Sequence, residues 1–181
     1  MGEIMKQIRI IKTSITDIKA DAVVNAANSG LLAGGGVCGA IFSAAGHNEL
    51  QDACDKIGHC DEGSAVITDG FKLKAKYIIH AVGPRWVDGN HNEPQRLYSA
   101  YTKSLELAVE NGCKSVAFPL ISAGIFGYPL EGAWRKALQS CRDFLDKNDC
   151  DLEIIFTVLA DRIMVEGIKQ LKEIAAEYTG E

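Results

Sequence analysis

The chain is poor in positive charge, has no long apolar run and lacks any Cys-x-x-Cys pair, and each deficit excludes a class of function. Lys and Arg number 19 against 24 Asp and Glu, a formal net charge of −5 over 181 residues, with a pI near 5.4. A protein that binds nucleic acid by neutralising phosphates needs a basic surface, so no nucleic-acid partner is expected and an anionic ligand has to be held mainly by amides. No apolar run is long enough to span a bilayer, and Met-Gly-Glu-Ile-Met-Lys-Gln at the start lacks the apolar core of a signal peptide. Lys6 stands where N-myristoylation at Gly2 would need Ser or Thr. No membrane partner is expected, and the expected location is cytoplasmic. The 6 cysteines, Cys38, Cys54, Cys60, Cys113, Cys141 and Cys150, read as reduced thiols rather than a disulfide framework. His47, Cys54, His59 and Cys60 are the one candidate metal cluster, but their spacing matches no zinc motif, so no metal site is expected.

Hydrophobic residues make up 47% of the chain, enough for one sizeable core, and two cores of this total length would each be small. Residues 1–181 therefore read as a single domain without linker, repeat or low-complexity tract. Strands are predicted at Ile8 to Ile11, Ala22 to Ala27, Ser64 to Thr68, Tyr77 to Val82, Ser115 to Phe118 and Ile154 to Leu159. Several are unbroken in hydrophobicity, as strands covered on both faces are. Helices are predicted at Val37 to Ala45, at Asn48 to Ile57 with Asn48 as N-cap and Gln51 three residues on, from Pro94 to Gly112, from Pro129 through Leu145, and from Asp161 through Ala175. Strands alternating with helices indicate a three-layer α/β/α domain.

Asn25 to Ala45 is the most informative stretch: an apolar strand runs into two side-chain amides, then Gly34-Gly35-Gly36, then a helix start. Consecutive glycines beside a helix N-terminus let backbone N–H groups reach an anion, since no Cβ blocks the approach. Gly34 to Gly39 also satisfies G-x-G-x-x-G, but a dinucleotide fold needs the strand to run straight into the glycines and an acid about 20 residues on at a strand end. Here Ser29 to Ala33 intervene, and the candidate acids Asp52 and Asp55 fall in a helical segment. A nicotinamide dehydrogenase is therefore disfavoured.

Five segments in order resemble the motifs of the macrodomain family, most closely its MacroD-type branch: Asp17-Ile18; Val23 to Asn28; Gly34 to Val37; Tyr77 to Pro84; and Pro119 to Pro129. The similarity spans about Ile8 to Ala175. It implies a central mixed, mostly parallel sheet flanked by helices, with an ADP-ribose cleft at the sheet's crest. Carried over by position, it makes Asp17 the acceptor for the adenine amino group, with Ile18 a backbone donor beside it. Asn28 resembles the asparagine that bonds the distal ribose, while Asn25 buttresses the loop or joins the ligand shell. Gly34, Gly35, Gly36 and Val37 would close on the diphosphate from one side and Ser122, Ala123, Gly124, Ile125 and Phe126 from the other, chiefly through backbone N–H groups, with Phe126 against the distal ribose. For His80, the residues favour a satisfied core imidazole.

The resemblance implies an ADP-ribosyl ester hydrolase acting on mono-ADP-ribosylated Asp or Glu side chains or O-acetyl-ADP-ribose, with ADP-ribose or an ADP-ribosylated protein as partner and no cofactor. The catalytic positions are Asn28, Gly35 in the diphosphate loop, and Cys38, which stands where many members carry a water-activating aspartate. A neutral thiol is a poor general base, so a non-catalytic reader of ADP-ribose is the main alternative and a phosphatase acting on ADP-ribose 1''-phosphate the second. Leu159 takes roughly the place of the aromatic residue that stacks on adenine in many members. Oligomeric state is left open.

Overall fold

Six short strands form one sheet in a computed structural model that describes residues 5–179. They are β1 (Ile8–Lys12), β2 (Ala22–Ala26), β3 (Ala65–Asp69), β4 (Tyr77–Ala81), β5 (Ser115–Phe118) and β6 (Glu153–Val158), in spatial order β1-β6-β5-β2-β4-β3. All neighbouring pairs are parallel except β3, which runs antiparallel along β4. Among the described residues the helices that flank the sheet are α1 (Gly36–Ala45), α2 (His47–Ile57), α3 (Glu93–Glu110), α4 (Leu130–Asn148) and α5 (Asp161–Thr179). Gly2 lies outside the described residues. Among the described residues no helix is long and apolar enough to cross a membrane.

Alternation along the strands splits the core into two layers, because successive side chains point to opposite faces. Val23, Ile78, Ala117 and Ile155 pack with Ile41, Phe42, Leu50 and Cys54 of α1 and α2. On the other face Val24, Ile79, Val116, Phe118, Ile154 and Phe156 pack with Leu97, Tyr101, Trp134, Leu138 and Ile174 of α3, α4 and α5. Each such large side chain contributes about 1.5–3 kcal/mol on burial, which is what holds three layers together. Gly167 in α5 is required by close approach: a Cβ there would lie 2.6 Å from the Trp134 ring, while the indole Nε1 donates to the Ile163 carbonyl at 2.9 Å.

Most expected elements appear within a residue or two of their predicted ends. One local expectation is corrected. Asn48 is not an N-cap, because α2 already begins at His47 and its cap is Gly46, at φ 105°. That backbone angle, open to glycine without strain, turns α1 directly into α2. It also frees Gln51 for another task.

Candidate functional site

Parallel strands leave their carboxyl ends on one side of the sheet, and in open α/β sheets the crevice beyond those ends is where ligands bind. Here the segments leaving β1, β2, β4, β5 and β6 meet there around a cleft of about 570 Å³. Thr13 to Ile15 follow β1, Asn28 and Gly34 to Cys38 follow β2, Gly83 and Arg85 follow β4, Pro119 to Phe126 follow β5, and Leu159 follows β6. Gly83 sets how closely the segments approach, since a Cβ there would fall 2.2 Å from Ser122 Oγ and 2.5 Å from an Ile121 methyl.

The wall after β2 is braced from within. Asn28 spans its own turn, donating from Nδ2 to the Leu32 carbonyl at 2.7 Å and accepting from the Leu32 N–H at 2.9 Å. Gln51 on α2 completes the brace, donating to the Leu31 carbonyl at 3.1 Å and accepting from the Ala33 N–H at 2.9 Å. The chain then enters α1 with Gly35 as N-cap and no side-chain cap, so the N–H groups of the first turn are left to an outside acceptor. Gly35 has φ −87° and ψ −175°, an extended backbone any residue adopts, and a Cβ there would meet nothing within 4 Å. Neither backbone geometry nor packing requires glycine at 35. Gly39 is the opposite case, because its Cβ would lie 2.5 Å from the Gly34 carbonyl.

The facing loop, after β5, is held at its root by a buried hydroxyl: Tyr101 accepts from the Ile121 N–H at 2.9 Å and donates to the Pro119 carbonyl at 3.3 Å. Its far end returns through Tyr128 N–H to the Ser122 carbonyl at 2.9 Å and Gly127 N–H to the Gly124 carbonyl at 3.0 Å. Ala123 spends its N–H on Leu120 at 3.4 Å, whereas those of Ser122, Gly124, Ile125 and Phe126 take no part in the loop's own hydrogen bonds. A Cβ on Gly124 also meets nothing within 4 Å. Ser122 adopts φ 65°, and its buried hydroxyl has no partner. Left-handed backbone on a non-glycine residue costs about 1–2 kcal/mol, a strain that concentrates at binding sites.

Electrostatically the cleft is nearly uncharged, and among the described residues Arg85 is the one charged side chain in its lining. Its guanidinium lies over the Phe126 ring, 4.6 Å from the centroid. No carboxylate or imidazole lines the cleft among the described residues, which leaves the Cys38 thiol as the nearest substitute for the usual general base. The arrangement suits an anion held by main-chain donors, the concave nest that binds phosphates without net positive charge.

The residues singled out from the sequence fall into three groups. Asn28, Gly34, Gly35, Gly36, Val37, Cys38 and Ser122 to Phe126 all line this one cleft. Asn25 does not: it is 1% exposed and turned inward, with Nδ2 3.1 Å from His80 Nδ1 and 3.8 Å from Cys38 Sγ. Asn25 thus touches the glycine segment through Cys38, whose thiol also faces the Leu32 carbonyl at 3.7 Å. Asp17 and Ile18 lie outside the lining, because the turn that joins the Asp17 N–H to the Ser14 carbonyl at 3.1 Å carries the chain past the cleft. Ile18 packs on the α1 and α2 core instead, and Asp17 is exposed.

The cysteine and histidine set is dispersed. His59 pairs with Asp61 at 2.8 Å, His47 packs edge-on against Phe42, and Cys54 and Cys60 are buried. Burial pushes the Cys54 thiol up to about 11. Asp88, His91 and Glu93 do come within coordinating distance of one another, but Glu93 is already saturated. Its carboxylate accepts from the N–H groups of Val87, Asp88, Gly89 and His91 at 3.1, 3.0, 2.8 and 2.5 Å. Against a burial that raises its pKa, those donors hold it down at about 2. Sequence reasoning also missed Arg85 and Tyr101, which carry no motif and act only through tertiary contacts, and it assigned Gln51 to a helix cap rather than to the Leu31 and Ala33 brace.

The chain is similar to known proteins along most of its length. The family model described as Macro domain matches residues 24–137. The O-acetyl-ADP-ribose deacetylase of Escherichia fergusonii is 47% identical over 154 residues, 83% of this chain and 86% of that protein. Among solved structures, the Oceanobacillus iheyensis macrodomain with ADP superposes with a TM-score of 0.87 at 36% identity, covering 93% of this chain and 91% of that one. The Trypanosoma brucei macrodomain in complex with ADP-ribose gives a TM-score of 0.85 at 36% identity, covering 92% of this chain and 69% of that one.

Proposed function

The chain belongs to the macrodomain family, and from that premise we propose that residues 1–181 form a single macrodomain that binds ADP-ribose and hydrolyses esters at its distal ribose. The esters are those of mono-ADP-ribosylated Asp and Glu side chains or of O-acetyl-ADP-ribose. One observation carries the reading: two facing loops present unused N–H groups beside Gly35 and Gly124, where added Cβ atoms would protrude into open cleft. Diphosphate is the group that fits such a pair of main-chain nests in an acidic protein. Phe126 would then lie against the distal ribose and Asn28 beside its anomeric carbon, with adenine toward Leu159 and, beyond the lining, Asp17 and Ile18.

In the hydrolytic step, for an ester carried on the anomeric carbon, a water oxygen bonds to that carbon as its bond to the ester oxygen breaks, the acyl group leaves as a carboxylate, and the water's proton passes to solvent. Since no carboxylate or imidazole lines the cleft among the described residues, the water is oriented by Asn28 and by the ligand's own diphosphate, with Cys38 contributing little. The lack of a base also favours a second reading, a module that holds ADP-ribose without turning it over. Calorimetric titration with ADP-ribose tests binding. Incubation with a glutamate-linked ADP-ribosyl peptide and with O-acetyl-ADP-ribose, read as free ADP-ribose released, tests catalysis. Binding without release leaves the reader; phosphate released from ADP-ribose 1''-phosphate identifies the phosphatase reading; absence of binding overturns all three.

A further inference from the structure

Among the described residues Arg85 is the only charged side chain in the cleft wall, and in the ADP-ribose reading main-chain donors hold the diphosphate. Its guanidinium is parked on the Phe126 ring at 4.6 Å from the centroid, a stacking that holds the fork in place without satisfying its N–H donors. The acids nearest in sequence are engaged elsewhere: Asp88 with His91 at 2.8 Å, and Glu93 with four backbone N–H groups. Among the described residues Arg85 has no ion pair. An exposed, preorganised and unpaired guanidinium at the end of the cleft assigned to the distal ribose is a receptor for a carboxylate. Beside Phe126, Ile125 is 80% exposed, and Val87, two residues past Arg85, is 63% exposed, which offers polypeptide an apolar landing next to the cation.

We propose that Arg85 is a specificity-determining residue that recognises carboxylates of an acidic polypeptide segment attached to the ribose end of bound ADP-ribose. The proposal rests on the ADP-ribose reading above and adds the partner's chemistry. In a chain of net charge −5, a local cation is what lets an acidic segment approach at all, and charge placed at a rim sets partner choice more than raw affinity.

The test uses the full chain, as wild type, Arg85→Gln and Arg85→Lys, with four probes. These are ADP-ribose, ADP-ribose 1''-phosphate, and two peptides carrying ADP-ribose through a hydrolysis-resistant oxime, one with Glu-rich flanks and one with uncharged flanks. Wild type is expected to bind the Glu-rich peptide roughly three- to tenfold more tightly than the uncharged one at low salt, narrowing as salt rises. In Arg85→Gln that preference collapses, and in Arg85→Lys it partly returns. Equal wild-type affinity for the two peptides overturns the proposal, as does an Arg85→Gln loss of the same factor on every probe, which would make Arg85 a diphosphate ligand. A preference confined to ADP-ribose 1''-phosphate overturns the polypeptide partner. Failure of wild type to bind ADP-ribose overturns the underlying reading instead.

Discussion

Asn25 donates its side-chain amide to Nδ1 of His80 at 3.1 Å, and that bond dictates the protonation of a whole buried chain beneath the glycine segment. With Nδ1 an acceptor, the imidazole carries its proton on Nε2 and donates to Thr68 Oγ1 at 3.0 Å, and Thr68 donates to the Asp69 carbonyl at 3.1 Å. Cys54 Sγ, 3.9 Å from Nε2, is the other group facing the ring. Protonated His80 would set a second donor against the Asn25 amide.

Burial accordingly lowers the His80 pKa from 6.5 to about 4. Because the folded value lies below the unfolded one, this stability is fully present above pH 6.5 and is lost as pH falls to about 4. The loss amounts to about 3 kcal/mol at its largest. Glu93, held near 2 against an ordinary 4.5, loses its contribution in a lower window. Urea unfolding at pH 7, 5.5 and 4.5 is expected to show a decline that is flattened in His80→Gln. An equal decline in both proteins would place the acid sensitivity elsewhere.

Removing one oxygen tests how the second loop is held. Tyr101→Phe leaves the buried Ile121 N–H without its 2.9 Å acceptor, at a cost of about 1–3 kcal/mol and a Tm drop of about 3–10 °C. The loop root carries the N–H groups assigned to the diphosphate, so ADP-ribose affinity should fall too. A variant that melts earlier but binds ADP-ribose as wild type does would show that the loop keeps its shape without the anchor.

Gly124→Glu and Gly35→Val are expected to keep the wild-type melting temperature and lose ADP-ribose binding, because each Cβ enters empty cleft. Gly39→Ala should fail differently. Its Cβ would lie 2.5 Å from the Gly34 carbonyl, so α1 and the glycine segment must separate and both stability and binding fall. Thermal melts with calorimetry on the three variants separate the two patterns. Retained binding in Gly124→Glu would remove the loop from the site.

The layered architecture was legible because its signals are local: apolar runs at β2, β5 and β6 could only be strands covered on both faces, and Gly34 to Gly36 beside a helix start marked the segment that lines the cleft. Legibility stopped where one residue's role depends on a distant partner. Gln51 reads as half of a capping box at Asn48, yet Gly46 makes the cap and Gln51 reaches back to Leu31 and Ala33. Asn25 and Asn28 look alike in sequence, but strand alternation sends Asn25 into the α1 and α2 layer beside His80, while Asn28, beyond the strand, reaches the cleft. Arg85 follows Gly83-Pro84 without any motif of its own, and only the approach of the β5 loop sets Phe126 beneath it.

Cys38 is where the missing base can be restored. Its Sγ lies 3.8 Å from the Asn25 amide donor and 3.7 Å from the Leu32 carbonyl, so a carboxylate there gains one partner and faces one repulsive oxygen. Cys38→Asp should therefore lose stability, by about 1–3 kcal/mol for a partly compensated buried polar group. It should also gain turnover on a glutamate-linked ADP-ribosyl peptide, tenfold or more given the roughly 10²- to 10⁴-fold contribution of a positioned general base. Cys38→Asn, of the same shape but without basicity, is the control. A rate in Cys38→Asp no greater than in Cys38→Asn would mean that charge at this position is idle and that the ligand's diphosphate alone orients the attacking water.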